Sequence, residues 1–209
     1  LEMVTAGLGQ AWQFGALSLK TLPSCYFNHP LINSTIAIMN RHDLVPGSIR
    51  SICVYLPRAA IDTVCEPSAP KYAPADLATA LFSVYYNVAS AAIRRRLTLD
   101  ELQPEALKDP DVAALARRVT YAIDAESVFP RQYSGSVEIV TLDGRTYRDR
   151  EDATRGSSER PLSQAEVEAK FMENACRVIP RDRAQAMMEA ILDIERLEDV
   201  SELRLAAGD

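Results

Sequence analysis

An α+β fold follows from three features of the 209-residue sequence. Segments with apolar residues at helical spacing are interspersed with short β-branched runs, which places a small sheet among helices. One pair of these runs is joined by Asp143-Gly144, a tight-hairpin dipeptide. Beyond a charged, Ser/Gly-rich stretch from Glu151 to Pro161 the pattern becomes purely helical. The expected organisation is a small sheet-plus-helix domain over residues 15–155 and a C-terminal helical segment over 160–209.

The elements follow in order. Gly7-Leu8-Gly9 lacks a third glycine and a preceding strand, so it reads as a turn and not as a dinucleotide loop. Pro30 suits the first turn of a helix whose apolar residues are Leu31, Ile32, Ile36 and Met39, with Pro46-Gly47 closing it. Ile49 to Leu56 reads as a strand that stops at Pro57, and Glu66 to Pro74 as a loop. Pro74-Ala75-Asp76 opens one long apolar helix through about Arg94, carrying Leu77, Leu81, Val84, Tyr85 and Val88. Thr98-x-x-Glu101 has the form of a capping box, with Leu97 and Leu102 as its staple. Asp109-Pro110 starts a helix through Leu115 to about Arg118, and Val119 to Ile123 reads as a strand. A hairpin follows, with a type I′ turn at Asp143-Gly144 leading into Arg145 to Arg150. Ser163-x-x-Glu166 is a second capping box with Leu162 and Val167 as staple partners. Helices are expected at 163–177, 182–196 and 199–206, and the apolar residues of this tail, Phe171, Ile179, Met187 and Ile191 among them, need a surface to pack against.

Composition sets further bounds. With 47% apolar and 25% charged residues the chain can bury a core, so disorder is excluded as its main state. No run approaches the ~18 apolar residues of a membrane span, and the first residues lack the basic and apolar regions of a secretory signal. A soluble, cytoplasmic chain is the expectation, and the opening Leu1-Glu2 points to one trimmed from something longer. Residues 1–98 hold eight Lys/Arg against five Asp/Glu, a surplus of +3, whereas residues 99–209 hold 15 against 24, a balance of −9. An acidic chain of this kind gives no support to nucleic-acid binding, while the basic surplus suits small anionic ligands. Cys25, Cys53, Cys65 and Cys176 form no C-x-x-C pair and the histidines are only His29 and His42, so neither a metal nor any other cofactor is expected.

Five stretches carry a family resemblance in register. They are Lys20-x-x-Pro23-x-Cys25-x-x-x-His29-Pro30, Leu81-Phe82-Ser83-x-x-Tyr86-x-Val88-Ala89, Leu97-Thr98-Leu99-Asp100, Leu142-Asp143-Gly144-Arg145, and Pro161-Leu162-Ser163 through Glu168-x-Lys170-Phe171. Their order and spacing resemble the C-terminal half of the 2-methylcitrate dehydratase / cis-aconitate decarboxylase family, MmgE/PrpD. The resemblance implies metal-independent cytoplasmic lyases, usually homodimers, with propionate metabolism as one setting. They act on di- and tricarboxylates by proton transfer next to a carboxylate, with dehydration, decarboxylation and epimerisation among the outcomes. It also implies a large all-helical domain, built from an N-terminal part and the last helices, and a smaller lid-like α+β domain, with the active site between them. This chain would supply the small domain and the returning helices, while the helical part with the family's Asp and His residues would come from elsewhere.

Four residues are candidates for the site. Lys20 matches the lysine the family places at the substrate, where an ammonium binds a carboxylate and stabilises charge after α-proton removal; otherwise it is a solvated surface lysine. Tyr86 matches a substrate-side tyrosine that could donate a hydrogen bond or a proton, against the reading of a core tyrosine with a satisfied hydroxyl. These two are the candidate catalytic residues. His29, before Pro30 at a helix start, is either an acid, base or anion partner in substrate binding or a structural histidine. Cys25 stands where some relatives have a site-facing histidine, and reads as pocket lining or packing. Asn28 replaces the family's usual threonine, Leu22 an aromatic, and Arg94-Arg95-Arg96 an apolar-Asp-Gly turn; a charge run of this kind is expected to be a solvated face. Two functions compete: a lyase acting on a small polycarboxylate as a homodimer or with a helical half, and a non-catalytic binding or assembly half that docks on a helical partner.

Overall fold

Alternation at period two is realised as one mixed sheet. The computed structural model describes residues 5–12, 14–197, 199–201 and 203. Its strands are β1 (Ile49–Leu56), β2 (Val119–Ile123), β3 (Gly135–Thr141) and β4 (Thr146–Glu151), in the order β2-β1-β3-β4. β1 pairs parallel with β2, in register Val54 to Tyr121, and antiparallel with β3, in register Ile52 to Ile139. A parallel pair needs a crossover, and the helices between residues 57 and 118 provide it. Ile52 and Val54 of β1 with Val137 and Ile139 of β3 are buried on one face. Each contributes about 1.5–3 kcal/mol by leaving water.

Helices α1 (His29–Arg41) and α3 (Val84–Arg94) pack against the sheet, and α2 (Leu77–Leu81) and α4 (Pro110–Ala116) pack on α3. α1 starts at His29 with Pro30 in its first turn, as expected, and buries Leu31, Ile32, Ile38 and Met39, packing against β3, β4 and α3. In α3, nine of eleven residues are buried, from Val84 to Ala92.

Several local expectations are corrected. The long helix over 74–94 is two helices, because Ser83 leaves helical geometry, accepts from the Tyr86 amide at 2.9 Å and donates to the Lys71 carbonyl at 2.6 Å. A serine that serves as a second N-cap stops one helix and starts the next. The loop over 66–74 contains a helical turn at Ser68–Lys71. At the hairpin only Gly144 has a positive φ (87°), which a type I′ turn would require of Asp143 as well. The Gly144 amide bonds the Thr141 carbonyl and the Thr141 amide bonds the Arg145 carbonyl, so the connection is a tight turn followed by a glycine bulge. The Thr98-x-x-Glu101 box forms only in part, the Glu101 carboxylate accepting from the Thr98 amide and hydroxyl ahead of a single 3-10 turn, Asp100–Leu102, and its expected staple divides: Leu97 packs with Ile32 and Ala91, Leu102 with the main core. The arginine run is not a free solvated face. Arg94 pairs with Asp109, Arg95 with Asp43 at 2.8 Å and Arg96 with Glu101 at 2.8 Å, which ties the end of α3 to three neighbouring segments.

The chain divides into two compact units between Arg160 and Pro161. The second holds α5 (Gln164–Ala175) and α6 (Arg181–Leu192), packed on each other, then a 3-10 turn at Ile194–Arg196. The Ser163 capping box forms in full, with both reciprocal bonds to Glu166. Half of the helix expected over 199–206 lies outside the described residues. Ala184 is the sole buried residue on these two helices, while Val178, Leu192 and Ile194 are exposed at 86%, 52% and 46%. No helix among the described residues is long and apolar enough to cross a membrane.

Candidate active site

The segment before α1 collects most of the candidate residues. Pro23 and the 3-10 turn Tyr26–Asn28 lead the chain into the helix, so residues 20 to 29 form one bent stretch. Lys20 is exposed, and its ammonium donates to the Ser24 carbonyl at 3.2 Å. An ammonium has three donors, so two remain to meet an anion. Cys25 is half-buried, its amide donates to the Leu81 carbonyl at 3.0 Å, and its side chain packs on the core. His29 is fully buried, with its ring edge-on to Tyr26 at 4.8 Å, and Tyr26 packs in the same way on Tyr133. Of the three, only Lys20 stands open to solvent.

Ser24 locks this stretch in place. Its hydroxyl donates to the Leu81 carbonyl at 3.1 Å and accepts from the Asn28 amide at 3.0 Å and the Asn87 amide at 3.1 Å. Asn87 reaches further, to the Ala80 carbonyl at 3.0 Å and the Ser83 carbonyl at 2.7 Å. Ser24, Asn28 and Asn87 are all buried, and the Ser24 hydroxyl and both side-chain NH2 groups find the partners that donors taken from water require. Ser24 and Asn87 fall at the unspecified positions of the two family patterns, and Asn28 at a position where this chain departs from the family. The available signal was the cost of burying an amide at 87 within an apolar helix.

Tyr86 is one residue away on α3 and so points about 100° from Asn87. Its hydroxyl donates to the Glu101 carbonyl and is buried, and burial pushes its phenol up to about 12. In this conformation the hydroxyl is engaged within the fold. No hydrogen bond or ion pair joins it to Lys20 among the described residues. The Lys20 stretch is thus linked to α3 through the Asn87–Ser24 bond and not through Tyr86.

Two further polar places are already engaged by internal partners. Lys71 is buried, and desolvation lowers its ammonium's pKa, but it already donates to the Thr63 carbonyl at 2.7 Å and the Glu66 carbonyl at 3.0 Å. The uncovered sheet face has a hollow of about 540 Å³ beside Tyr55, Ser136 and Glu138. Its charges are paired internally, Arg148 with Glu138 and Arg150 with Asp124. No group of three or more His, Cys, Asp or Glu is placed to hold a metal ion among the described residues.

Comparison with known proteins gives a consistent outcome. The family model of the MmgE/PrpD C-terminal domain matches residues 22–195. The chain is 28% identical to cis-aconitate decarboxylase of Mus musculus over 129 residues, which is 60% of this chain and 26% of that protein. It is 34% identical to cis-aconitate decarboxylase of Homo sapiens over 67 residues, 32% of this chain and 14% of that protein. A cis-aconitate decarboxylase-like protein of Aspergillus oryzae is 26% identical over 97% of this chain and 42% of its own length. The matched region thus spans less than half the length of each of these relatives.

Proposed function

We propose, because this chain belongs to the MmgE/PrpD family, that it forms the carboxylate-binding half of a lyase acting on a small di- or tricarboxylate such as cis-aconitate. The observation that carries the reading is Lys20: an exposed ammonium with two donors to spare, on a stretch held by the buried Ser24–Asn28–Asn87 network. A carboxylate bound there presents its neighbouring C–H bond. When a base removes that proton, negative charge spreads into the carboxylate, and the ammonium stabilises it more than it stabilised the ground state. The electron pair then expels a leaving group, hydroxide protonated to water in a dehydration. In a decarboxylation the order differs: carbon dioxide leaves and a proton returns to the carbanion. The base belongs to a helical domain that packs on α5 and α6, and a metal-independent, cytoplasmic homodimer is the setting we favour.

The test uses the protein at its natural length. Lys20→Ala is expected to weaken cis-aconitate binding about tenfold or more by titration calorimetry, the loss of one charge-assisted hydrogen bond. It should also remove α-proton exchange in D₂O, followed by NMR with cis-aconitate, citrate and 2-methylcitrate. Binding and exchange equal to wild type in the folded variant would overturn the reading.

A second reading has its own observation. The α5–α6 pair buries only Ala184 on its helices and exposes Val178, Leu192 and Ile194, which suits a half that docks on a helical partner without doing chemistry. Under both readings this chain alone should self-associate or bind a hydrophobic dye. A monomer in light scattering with no dye fluorescence would count against the docking surface.

A further inference from the structure

We propose that Gly156 is the positioning residue for Lys20, through its carbonyl and through the side chain it lacks. The inference rests on Lys20 as the carboxylate-binding cation. The stretch from Leu17 to Thr21 belongs to no helix or strand. Leu17 and Leu19 are 61% and 52% exposed, so burial of side chains does not set its path. The tie before Lys20 is a backbone bond: the Leu19 amide donates to the Gly156 carbonyl at 2.9 Å. Gly156 has φ +90°, a conformation that disfavours any side chain. A Cβ placed there would stand 2.1 Å from the Leu19 carbonyl oxygen and 3.5 Å from the Thr21 methyl group. The two backbones therefore approach as only glycine allows. After Lys20, the tie is its own bond to the Ser24 carbonyl. Lys20 stands between these two anchors.

The loop presenting Gly156 is held independently of the Lys20 stretch. The Gly156 amide donates to the Arg160 carbonyl at 2.8 Å, and the Arg160 guanidinium donates to the Ala153 carbonyl at 2.8 Å and faces Glu151 at 3.5 Å. The Thr154 hydroxyl donates to the Tyr133 carbonyl at 2.7 Å, and the Arg155 amide to the Glu151 carboxylate at 2.9 Å. With so many ties of its own, the loop sets the position of Leu19 and hence where the ammonium stands.

Cis-aconitate titration of the protein at its natural length tests this with wild type, Gly156→Ala, Lys20→Ala and the double variant. Gly156→Ala is expected to weaken binding about tenfold, and the double variant to bind no more weakly than Lys20→Ala, because a residue acting through another loses its effect when the other is gone. Amide exchange at Leu19 should also quicken. If Gly156→Ala does not fold, Arg160→Met loosens the loop without crowding Leu19, and should give a smaller loss that again vanishes in the Lys20→Ala background. Wild-type affinity in Gly156→Ala (or in Arg160→Met, where that variant stands in) while Lys20→Ala has lost it, or losses that add, would overturn the positioning role. Equal affinity of wild type and Lys20→Ala, or no binding by wild type, would instead overturn the function on which it rests.

Discussion

Replacing Asn87 with leucine is expected to lower the free energy of unfolding by about 2 kcal/mol, counting about 1 kcal/mol for each of the two side-chain N–H donors removed. The side chain is fully buried on α3, and its amide donates to the Ser24 hydroxyl, the Ala80 carbonyl and the Ser83 carbonyl. Leucine matches the amide in size, so little cavity forms, and the cost comes from acceptors that lose a donor away from water. The substitution also frees the Lys20 stretch from α3, so cis-aconitate affinity should fall with stability. Urea unfolding checks this: the midpoint should drop while the slope with denaturant stays constant. A loss under about 1 kcal/mol would show that the network is no more than space-filling.

Glu101 carries the other large effect. Its side chain is 3% exposed, accepts from the Thr98 amide and hydroxyl at 2.7 Å each, and pairs with Arg96. Glu101→Ala is expected to cost about 3 kcal/mol, since three charge-assisted bonds go and one of their donors is a backbone amide. The effect depends on pH with a definite sign. Burial alone would raise this carboxyl's pKa, but the bonds from Arg96 and Thr98 outweigh it and hold the group below its ordinary range. The ionised carboxylate therefore stabilises the fold fully above the unfolded value of about 4.3, and that contribution is lost as pH falls through the lowered folded value. Wild type and Glu101→Gln should converge in urea midpoint between about pH 6 and about pH 3. A constant gap over that range would show that the charge of Glu101 is not what stabilises the turn.

These two residues mark how far local pattern reaches. Glu101 lies three residues from Thr98, and the pairing of their side chains could be read directly from that spacing. The same spacing at Ser163 and Glu166 forms a complete box. Asn87 meets Ser24 across 63 residues of chain, and no local spacing encodes such a meeting. The long helix over 74–94 broke for the same reason. Ser83 gains its cap bond locally, but its second bond, to the Lys71 carbonyl, exists only once residues 68–71 have packed against α3.

The candidate site shows the same division. Lys20, Cys25, His29 and Tyr86 could be picked out because they lie in patterns shared with a family. Only the folded chain separates an exposed ammonium from a buried imidazole and a phenol turned toward Glu101. By itself the sequence determined the α+β class, the four strands, the start of α1 and the cap of α5, because period, proline and capping chemistry act within a few residues. The tertiary structure decided the sheet order, the pairing of the arginine run, the Ser24–Asn87 lock and the contact of Gly156 with Leu19. Each of those depends on groups distant in the chain being desolvated together, and that free energy appears only when the core closes.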